Sequence, residues 1–160
     1  MIKNLTIICI LLIIFTVSLW SEVPAFSIET LNGDVLKSQD LLEDNIIYLD
    51  FWATSCQPCL RLLPQVSNLV EKYPDVTFIA VSIDSPRHKN NVSKLVRSQK
   101  FEFITAYDSN KALQKLFNVT SIPRSIIINK IGEIVFDHSG FNSGDEQEIE
   151  KALQEALKGE

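Results

Sequence analysis

The chain has 160 residues, which is enough for one domain and leaves little room for a second. Hydrophobic residues make up 46% of it and charged residues 22%, proportions of a globular protein that exclude a disordered or fibrous chain. Its 15 Lys and Arg against 20 Asp and Glu give a net charge of −5, which argues against nucleic acid as a partner.

The N-terminal segment has the layout of a secretory signal, because Lys3 precedes an apolar run from Leu5 to Trp20. The run has about 16 residues, fewer than the roughly 18–20 expected of a membrane span. Residues 1–21 are therefore predicted to be either a signal peptide or an N-terminal membrane anchor, and residues 22–160 the folded domain. Both alternatives place the domain outside the cytoplasm, in the periplasm or on the outer face of the membrane, where thiols tend to be oxidised. Cys9 lies inside the run and is interpreted as an apolar filler.

In the rest of the chain, apolar strands alternate with amphipathic helices. Two short extended pieces around an Asn32-Gly33 turn come first. Apolar and β-branched runs then predict strands at residues 46–52, 76–83, 103–106, 125–128 and 133–136. Apolar residues at helical spacing predict helices at residues 56–73, 85–96, 109–117 and 143–157. The predicted class is α/β, with a central mixed sheet, helices on both of its faces and an N-terminal β-hairpin.

Two local signals refine the predicted helices. Pro64 lies inside the first helical pattern and is expected to kink it. Ser143 and Glu146 have the spacing of a capping box and are expected to open the last helix.

The chemistry is expected at Cys56-Gln-Pro-Cys59, because two thiols three residues apart can close a disulfide across one helical turn. Cys56 is predicted at the N-terminus of a helix, where unpaired amides and the positive end of the dipole stabilise a thiolate and lower its pKa. Cys59 is one turn further on and more buried. It is expected to stay protonated until it resolves a mixed disulfide.

Structural zinc is the main alternative use of two such thiols, but it needs four ligands. Apart from the two cysteines, only His88 and His138 are candidates, and they lie far apart in the sequence without ligand spacing. Each histidine is interpreted as an ordinary surface residue. We therefore expect no bound metal and no cofactor.

Three segments of the chain resemble the thioredoxin-like superfamily. Asp50-Phe-Trp-Ala-Thr-Ser-Cys-Gln-Pro-Cys59 is similar to the active-site segment of that family, and Val119-Thr-Ser-Ile-Pro-Arg124 is similar to its second signature. The opening Pro24-x-Phe-x-Ile-x-x-Leu-x-Gly33 resembles the extracytoplasmic TlpA/ResA branch. The resemblance covers residues 24–158 and implies a thioredoxin-like fold and thiol-disulfide exchange.

The resemblance also implies roles for individual residues around the two cysteines. Cys56 would be the attacking thiol and Cys59 the resolving thiol. Pro123 would be a cis-proline facing them, an uncommon peptide geometry that exposes the backbone of Ile122. That backbone could pair with an extended substrate segment, as in strand addition.

Two residues of the predicted central strand carry further implied roles. Asp50 matches the buried aspartate that exchanges a proton with the second cysteine, and the alternative for it is a strand-end carboxylate paired with a lysine. Trp52 matches the aromatic residue that shields the site, a role compatible with core packing.

Several positions depart from the family pattern. Ser55 replaces the usual tryptophan before the first cysteine, which predicts a more open and polar site. Leu62 stands where many ResA-like proteins have a glutamate, and Asp50 stands where many TlpA-like chains have asparagine. Arg124 replaces the usual threonine after the cis-proline. It could lower the pKa of Cys56, bind an acidic substrate, or be merely solvated.

The function that these residues favour is an extracytoplasmic protein-disulfide oxidoreductase that works as a reductant, for instance in cytochrome c maturation. Its expected partners are protein thiols and disulfides, together with a membrane or periplasmic electron donor. One alternative is a peroxiredoxin-like peroxidase, which needs Thr three residues before the reactive cysteine, where this chain has Ala53 and places Thr54 one position off. Another is a non-catalytic copper or zinc carrier, which would need a third nearby ligand.

Overall fold

The structure is a computed structural model that describes residues 23–43 and 45–159. The prediction of a signal peptide or membrane anchor at residues 1–21 lies outside the described residues. Within residues 23–43 and 45–159, no helix combines the length and apolar character needed to cross a bilayer.

After an N-terminal pair of strands, the described residues form strands and helices that largely alternate along the chain, as predicted. The strands are Ser27–Glu29 (β1), Val35–Lys37 (β2), Ile46–Trp52 (β3), Val76–Ser82 (β4), Ile104–Tyr107 (β5), Arg124–Ile128 (β6) and Ile134–Ser139 (β7). The α-helices are Ser38–Leu42 (α1), Gln57–Lys72 (α2), Lys89–Gln99 (α3), Ala112–Leu116 (α4) and Asp145–Lys158 (α5). A 3₁₀ turn at Pro86–His88 precedes α3.

Five of the strands form one mixed sheet in the order β5-β4-β3-β6-β7. β3 pairs in parallel with β4, and β4 with β5, whereas β6 runs antiparallel to both β3 and β7. β1 and β2 form a separate hairpin beside β5, where Leu31 N donates a hydrogen bond to Thr105 O at 2.9 Å. The predicted mixed sheet and N-terminal hairpin are therefore confirmed.

The central strand β3 is buried along its whole length, which explains its near-continuous apolar sequence. Tyr48 and Trp52 face one core, which also contains Leu63 of α2, Val92 of α3 and Leu153 of α5. Alternate residues of β3 face the opposite core. Leu49 and Phe51 lie there, together with side chains from the hairpin and from α4. The expectation of helices on both faces of the sheet is confirmed.

The described chain enters the domain at the end of the sheet opposite to the end at which β3 finishes. Val23 N donates a hydrogen bond to Gly132 O at 2.8 Å, in the turn between β6 and β7. Because β6 is antiparallel to β3, with Ile47 opposite Ile128, this turn lies beside the first residues of β3. The loop that carries Cys56 leaves from the last residue of β3.

The capping-box prediction for the last helix is wrong. The helix begins after Gly144, whose φ of 110° suits glycine, and no side chain of that residue can cap the helix. The acidic residues of the first turn bind the preceding loop instead. Glu146 accepts a hydrogen bond from Gly144 N at 2.9 Å, and Asp145 accepts one from Asn142 N at 2.7 Å.

The sequence pattern also misplaced smaller features. The short helix α1 has no counterpart among the predicted elements, since its five residues are too few to show a helical period. The helix predicted at residues 109–117 is confined to Ala112–Leu116, because Lys111 has a left-handed φ of 59°. The Asp108 carboxylate accepts hydrogen bonds from Leu113 N at 3.1 Å and Gln114 N at 2.8 Å, which fixes the start of that helix.

Candidate active site

Cys56 caps the N-terminus of α2, as its position after the buried strand β3 predicts. Its backbone is extended, and its Sγ accepts a hydrogen bond from Cys59 N at 3.2 Å. The turn before it is closed by Cys56 N donating to Ala53 O at 3.0 Å. Pro58 lies in the first helical turn, where its missing N–H leaves no hydrogen bond unmade. The amide and the helix dipole therefore both point towards the Cys56 sulfur.

The two cysteines are joined by a disulfide bond with an S–S distance of 2.05 Å. Cys59 is fully buried in the core that contains Trp52, whereas Cys56 is half-buried. Of the two cysteines, Cys56 is therefore the one partly exposed to solvent, and Cys59 is enclosed. This asymmetry matches the predicted difference in burial between the two thiols.

Pro123 lies immediately before β6, next to the cysteine loop, and its peptide bond with Ile122 is cis. Register pairs Phe51 with Arg124, so Pro123 sits beside the end of β3 from which the cysteine loop leaves. Pro123 O accepts a hydrogen bond from Gly140 N at 2.8 Å. Across residues 23–43 and 45–159, no group hydrogen-bonds the main chain of Ile122, which is half-buried.

Asp50 is fully buried on the same face of β3 as Tyr48 and Trp52. Ser125 Oγ lies 3.4 Å from Asp50 Oδ1, and Asp50 Oδ2 has no hydrogen-bond partner among the described residues. Burial raises the pKa of Asp50 well above its usual range, and the Ser125 hydroxyl offsets part of that rise. Among the described residues, Ser125 is the side-chain partner of Asp50 and no lysine pairs with its carboxylate.

A small polar network surrounds Asp50 within the apolar core. Tyr48 Oη and Ser125 Oγ are 3.0 Å apart, and burial together with the charge of Asp50 raises the pKa of Tyr48. Trp52 Nε1 is buried without a hydrogen-bond partner among the described residues. The three polar side chains of β3 thus face the helix that carries Cys59.

Arg124 is engaged by the neighbouring strand β7. Its guanidinium forms an ion pair with Asp137, with Nη2 to Oδ2 at 2.6 Å, and its Nη1 donates to Ser139 Oγ at 2.6 Å. Alternation along β6 places Arg124 on the face opposite Ser125, and therefore opposite Asp50. The guanidinium charge is balanced locally by Asp137.

Asp84 is a site residue that sequence reasoning missed. It follows the end of β4, is 8% exposed, and accepts hydrogen bonds from Thr54 N at 2.9 Å and Thr54 Oγ1 at 2.6 Å. A signal was present, because β3 and β4 are parallel and their carboxyl ends meet at one edge of the sheet. The carboxylate after β4 could therefore have been placed beside the loop after β3.

The departures from the family pattern at Ser55 and Leu62 occupy different surroundings. Ser55 is exposed next to Cys56, in line with the more open site predicted there. Leu62 lies on α2 and is buried in the core. In the part of the chain that the structure describes, no three His, Cys, Asp or Glu side chains converge as metal ligands. His88 is exposed, and His138 Nε2 lies 3.4 Å from Asp145 Oδ2.

Comparisons with known proteins point to one family. A model described as thioredoxin-like matches residues 44–134, more than half of the chain. Thiol-disulfide oxidoreductase ResA of Bacillus thuringiensis subsp. konkukian is 26% identical over 137 residues, which cover 86% of this chain and 75% of that protein. Sporulation thiol-disulfide oxidoreductase A of Bacillus subtilis is 28% identical over 116 residues, covering 70% of this chain and 69% of that protein.

Solved structures show the same fold. A Chlorobium tepidum protein assigned as thiol:disulfide interchange protein DsbE superposes with a TM-score of 0.78 and 28% sequence identity, over 86% of this chain and 96% of that one. A Porphyromonas gingivalis thioredoxin-like protein has a TM-score of 0.71 and 31% identity, covering 85% of this chain and 92% of that one.

Proposed function

The chain belongs to the thioredoxin-like family, with ResA-type members among its relatives, and we propose that it reduces protein disulfides outside the cytoplasm. The broader activity, protein thiol-disulfide exchange, is that of its relatives and uses the Cys56–Cys59 pair. The observation that carries the proposal is the disulfide itself. One of its sulfurs is accessible at a helix N-terminus and the other is buried one turn further on.

The proposed reaction begins with the reduced protein. The Cys56 thiolate attacks one sulfur of a substrate disulfide, the substrate S–S bond breaks, and one substrate sulfur leaves as a thiolate. Cys59 then loses its proton and attacks the Cys56 sulfur. This step forms the Cys56–Cys59 disulfide and releases the second substrate thiolate. Two electrons have passed to the substrate, and a membrane or periplasmic thiol donor returns the protein to its reduced form.

Asp50 is the proposed group that exchanges a proton with Cys59, and it accepts that proton when its carboxyl group is ionised. Its carboxyl group lies on the face of β3 that packs against α2, and its raised pKa makes its ionised form a stronger base than an exposed aspartate. The unpartnered Oδ2 leaves one oxygen available for that proton.

The main chain of Ile122 is the proposed docking edge for the substrate. Its hydrogen-bonding groups are unengaged by the described residues, and it precedes Pro123 beside the end of β3. An extended segment of the substrate can pair there as an added strand, which brings its disulfide to the accessible Cys56 sulfur. Trp52 supports this corner from the core.

The reducing direction and the setting complete the proposal. The apolar run at Leu5 to Trp20 supports a location outside the cytoplasm, with the N-terminus as a signal or an attachment to the membrane. Reduction of cysteines for cytochrome c maturation is one process that such a protein would serve. The Gln57-Pro58 pair between the cysteines supports a reductant rather than a strong oxidant.

Insulin-disulfide reduction with dithiothreitol as electron donor tests the activity. The full-length protein should accelerate insulin precipitation, Cys56→Ser should fall to the uncatalysed rate, and Cys9→Ser, a matched control outside the reactive pair, should retain full activity. Equal rates for the wild type and Cys56→Ser would refute the proposed chemistry.

Equilibration with glutathione tests the direction. We expect a reduction potential near that of thioredoxin, about −270 mV, whereas a value near the −120 mV of a strong oxidant would reverse the proposed direction of electron transfer.

A Cys59→Ser variant, which cannot resolve mixed disulfides, should trap the substrates, and cell fractionation of the trapped complexes tests the location. Complexes found only with cytoplasmic proteins would contradict it.

A further inference from the structure

The loop of three residues between β3 and Cys56 is hydrogen-bonded to Asp84, which follows the end of β4. Asp84 binds both the main chain and the side chain of Thr54, with Oδ2 to Thr54 N at 2.9 Å and Oδ1 to Thr54 Oγ1 at 2.6 Å. A carboxylate that accepts two hydrogen bonds from one residue fixes that residue's orientation as well as its distance.

Asp84 is itself fixed by groups on two strands. Ser82 Oγ donates to Asp84 Oδ2 at 3.0 Å, and Tyr107 Oη donates to the Asp84 carbonyl at 2.8 Å. The next residue back, Ile83, donates its N–H to Trp52 O at 2.9 Å, which extends the pairing of β3 with β4. The carboxylate is therefore a rigid anchor for the loop before Cys56.

The anchor matters for the sulfur because Thr54 is two residues before Cys56. The Cys56 sulfur accepts a hydrogen bond from Cys59 N at 3.2 Å. This contact depends on the position of Cys56, which the preceding loop sets. The position immediately before the cysteine holds no packed tryptophan, since Ser55 is exposed there. The loop is thus positioned by Thr54 rather than by the residue next to the cysteine.

We infer that Asp84 and Thr54 are positioning residues that hold Cys56 on the amides of α2 and thereby keep its thiolate stabilised in the reduced protein. The pair acts through Cys56 and touches no substrate. Its catalytic consequence rests on the proposed exchange reaction, but its effect on the Cys56 thiol does not.

The test is the pH dependence of Cys56 alkylation in the reduced full-length protein, read by mass spectrometry of the Cys56 peptide. Thr54→Val keeps the shape of the side chain and removes its hydroxyl, whereas Thr54→Ser keeps the hydroxyl. Thr30→Val is the matched control, because the Thr30 hydroxyl accepts a hydrogen bond from Asp34 N at 3.1 Å in the hairpin.

We expect Thr54→Val to move the alkylation midpoint to higher pH. The thiolate fraction below the midpoint should fall about two- to fivefold, the range for interactions at a helix N-terminus. Thr54→Ser and Thr30→Val should follow the wild type. Because a destabilised thiolate disfavours the reduced protein, the potential of Thr54→Val against glutathione should also become more negative.

Asp84→Ala provides a second, independent variant if Thr54→Val does not fold. It removes both carboxylate oxygens that accept from Thr54, and Asp108→Ala, just after β5, is its buried control. An unchanged alkylation profile in folded Thr54→Val or Asp84→Ala would overturn the inference, even if urea stability fell. An equal shift in either control would overturn it as well. Wild-type protein that fails to reduce insulin but shows these shifts would refute the proposed function alone.

Discussion

The Asp50→Asn substitution removes a titratable proton from the core beside α2 while keeping the shape of the side chain. Burial raises the pKa of Asp50 in the folded protein, so the folded state keeps a proton that the unfolded state releases above about pH 4. From there up to the folded-state pKa, the unfolded chain binds fewer protons than the folded one. The free energy of unfolding of the wild type should therefore fall as the pH rises through that window.

The magnitude follows from one proton at one buried site. A single group that is protonated in the folded state and ionised in the unfolded state gives a slope of at most about 1.4 kcal/mol per pH unit. Asp50→Asn carries no such proton and lacks this slope. At pH 4 the protonated carboxyl and the amide make similar polar demands on Ser125, the single partner of Asp50 among the described residues. The two proteins should then differ least, and the variant should become progressively more stable than the wild type at higher pH.

Urea unfolding of the oxidised proteins from pH 4 to pH 9 measures the effect. The informative quantity is the difference in the free energy of unfolding between variant and wild type at each pH, which cancels every other titrating group. Asp75→Asn, at an exposed carboxylate, serves as the control and should give a nearly constant difference. Parallel stability profiles for the wild type and Asp50→Asn would refute the assignment of a raised pKa to Asp50.

Three further substitutions test separate parts of the structure. Ser125→Ala removes the hydrogen bond that lowers the pKa of Asp50, so the pH window of falling stability should extend upward in the same urea titration, and an unmoved window would contradict the contact. Arg124 and Asp137, which are 22% and 36% exposed, should show a coupling of at most about 1 kcal/mol in a double-mutant cycle that weakens in high salt; zero coupling at low salt would argue against the ion pair. Leu153→Ala empties a fully buried position of α5 and should cost about 2–5 kcal/mol in urea unfolding, whereas a loss below 1 kcal/mol would mean that α5 is not packed on the sheet.

The strands of the central sheet were predictable because buried strands have locally apolar sequences. Residues 46–52 are apolar except for Asp50, and a strand covered on both faces requires such a run. The position of Cys56 at a helix start followed from the buried strand before it and the helical spacing after it. These inferences need only neighbours in sequence, and the structure confirms them.

Other features depend on contacts between residues far apart in the chain. Asp84 reaches Thr54 across a sequence separation of 30 residues, and only the parallel pairing of β3 with β4, not the residues next to Asp84, indicates that contact. Arg124 follows the proline of the second signature, but its partner Asp137 comes from the paired strand β7. The surroundings of such side chains depend on strand order and register, which periodicity does not specify.

The last helix shows a different kind of failure. Ser143 and Glu146 have capping-box spacing, yet the chain turns at Gly144 with positive φ, and the acidic side chains bind backwards into the loop. Both arrangements satisfy amides at a helix start, and the same few residues can supply either.

The hydrogen bond between Val23 and Gly132 fixes the end of the domain at which the described chain begins. Val23 lies beside the first residues of β3, and the Cys56–Cys59 disulfide follows its last residue. The full length of β3 therefore separates the two. A reporter protein or immobilising handle fused ahead of Val23 would thus emerge on the far side from the disulfide. The end of the domain that carries Cys56 and Cys59 would therefore stay clear of such a fusion.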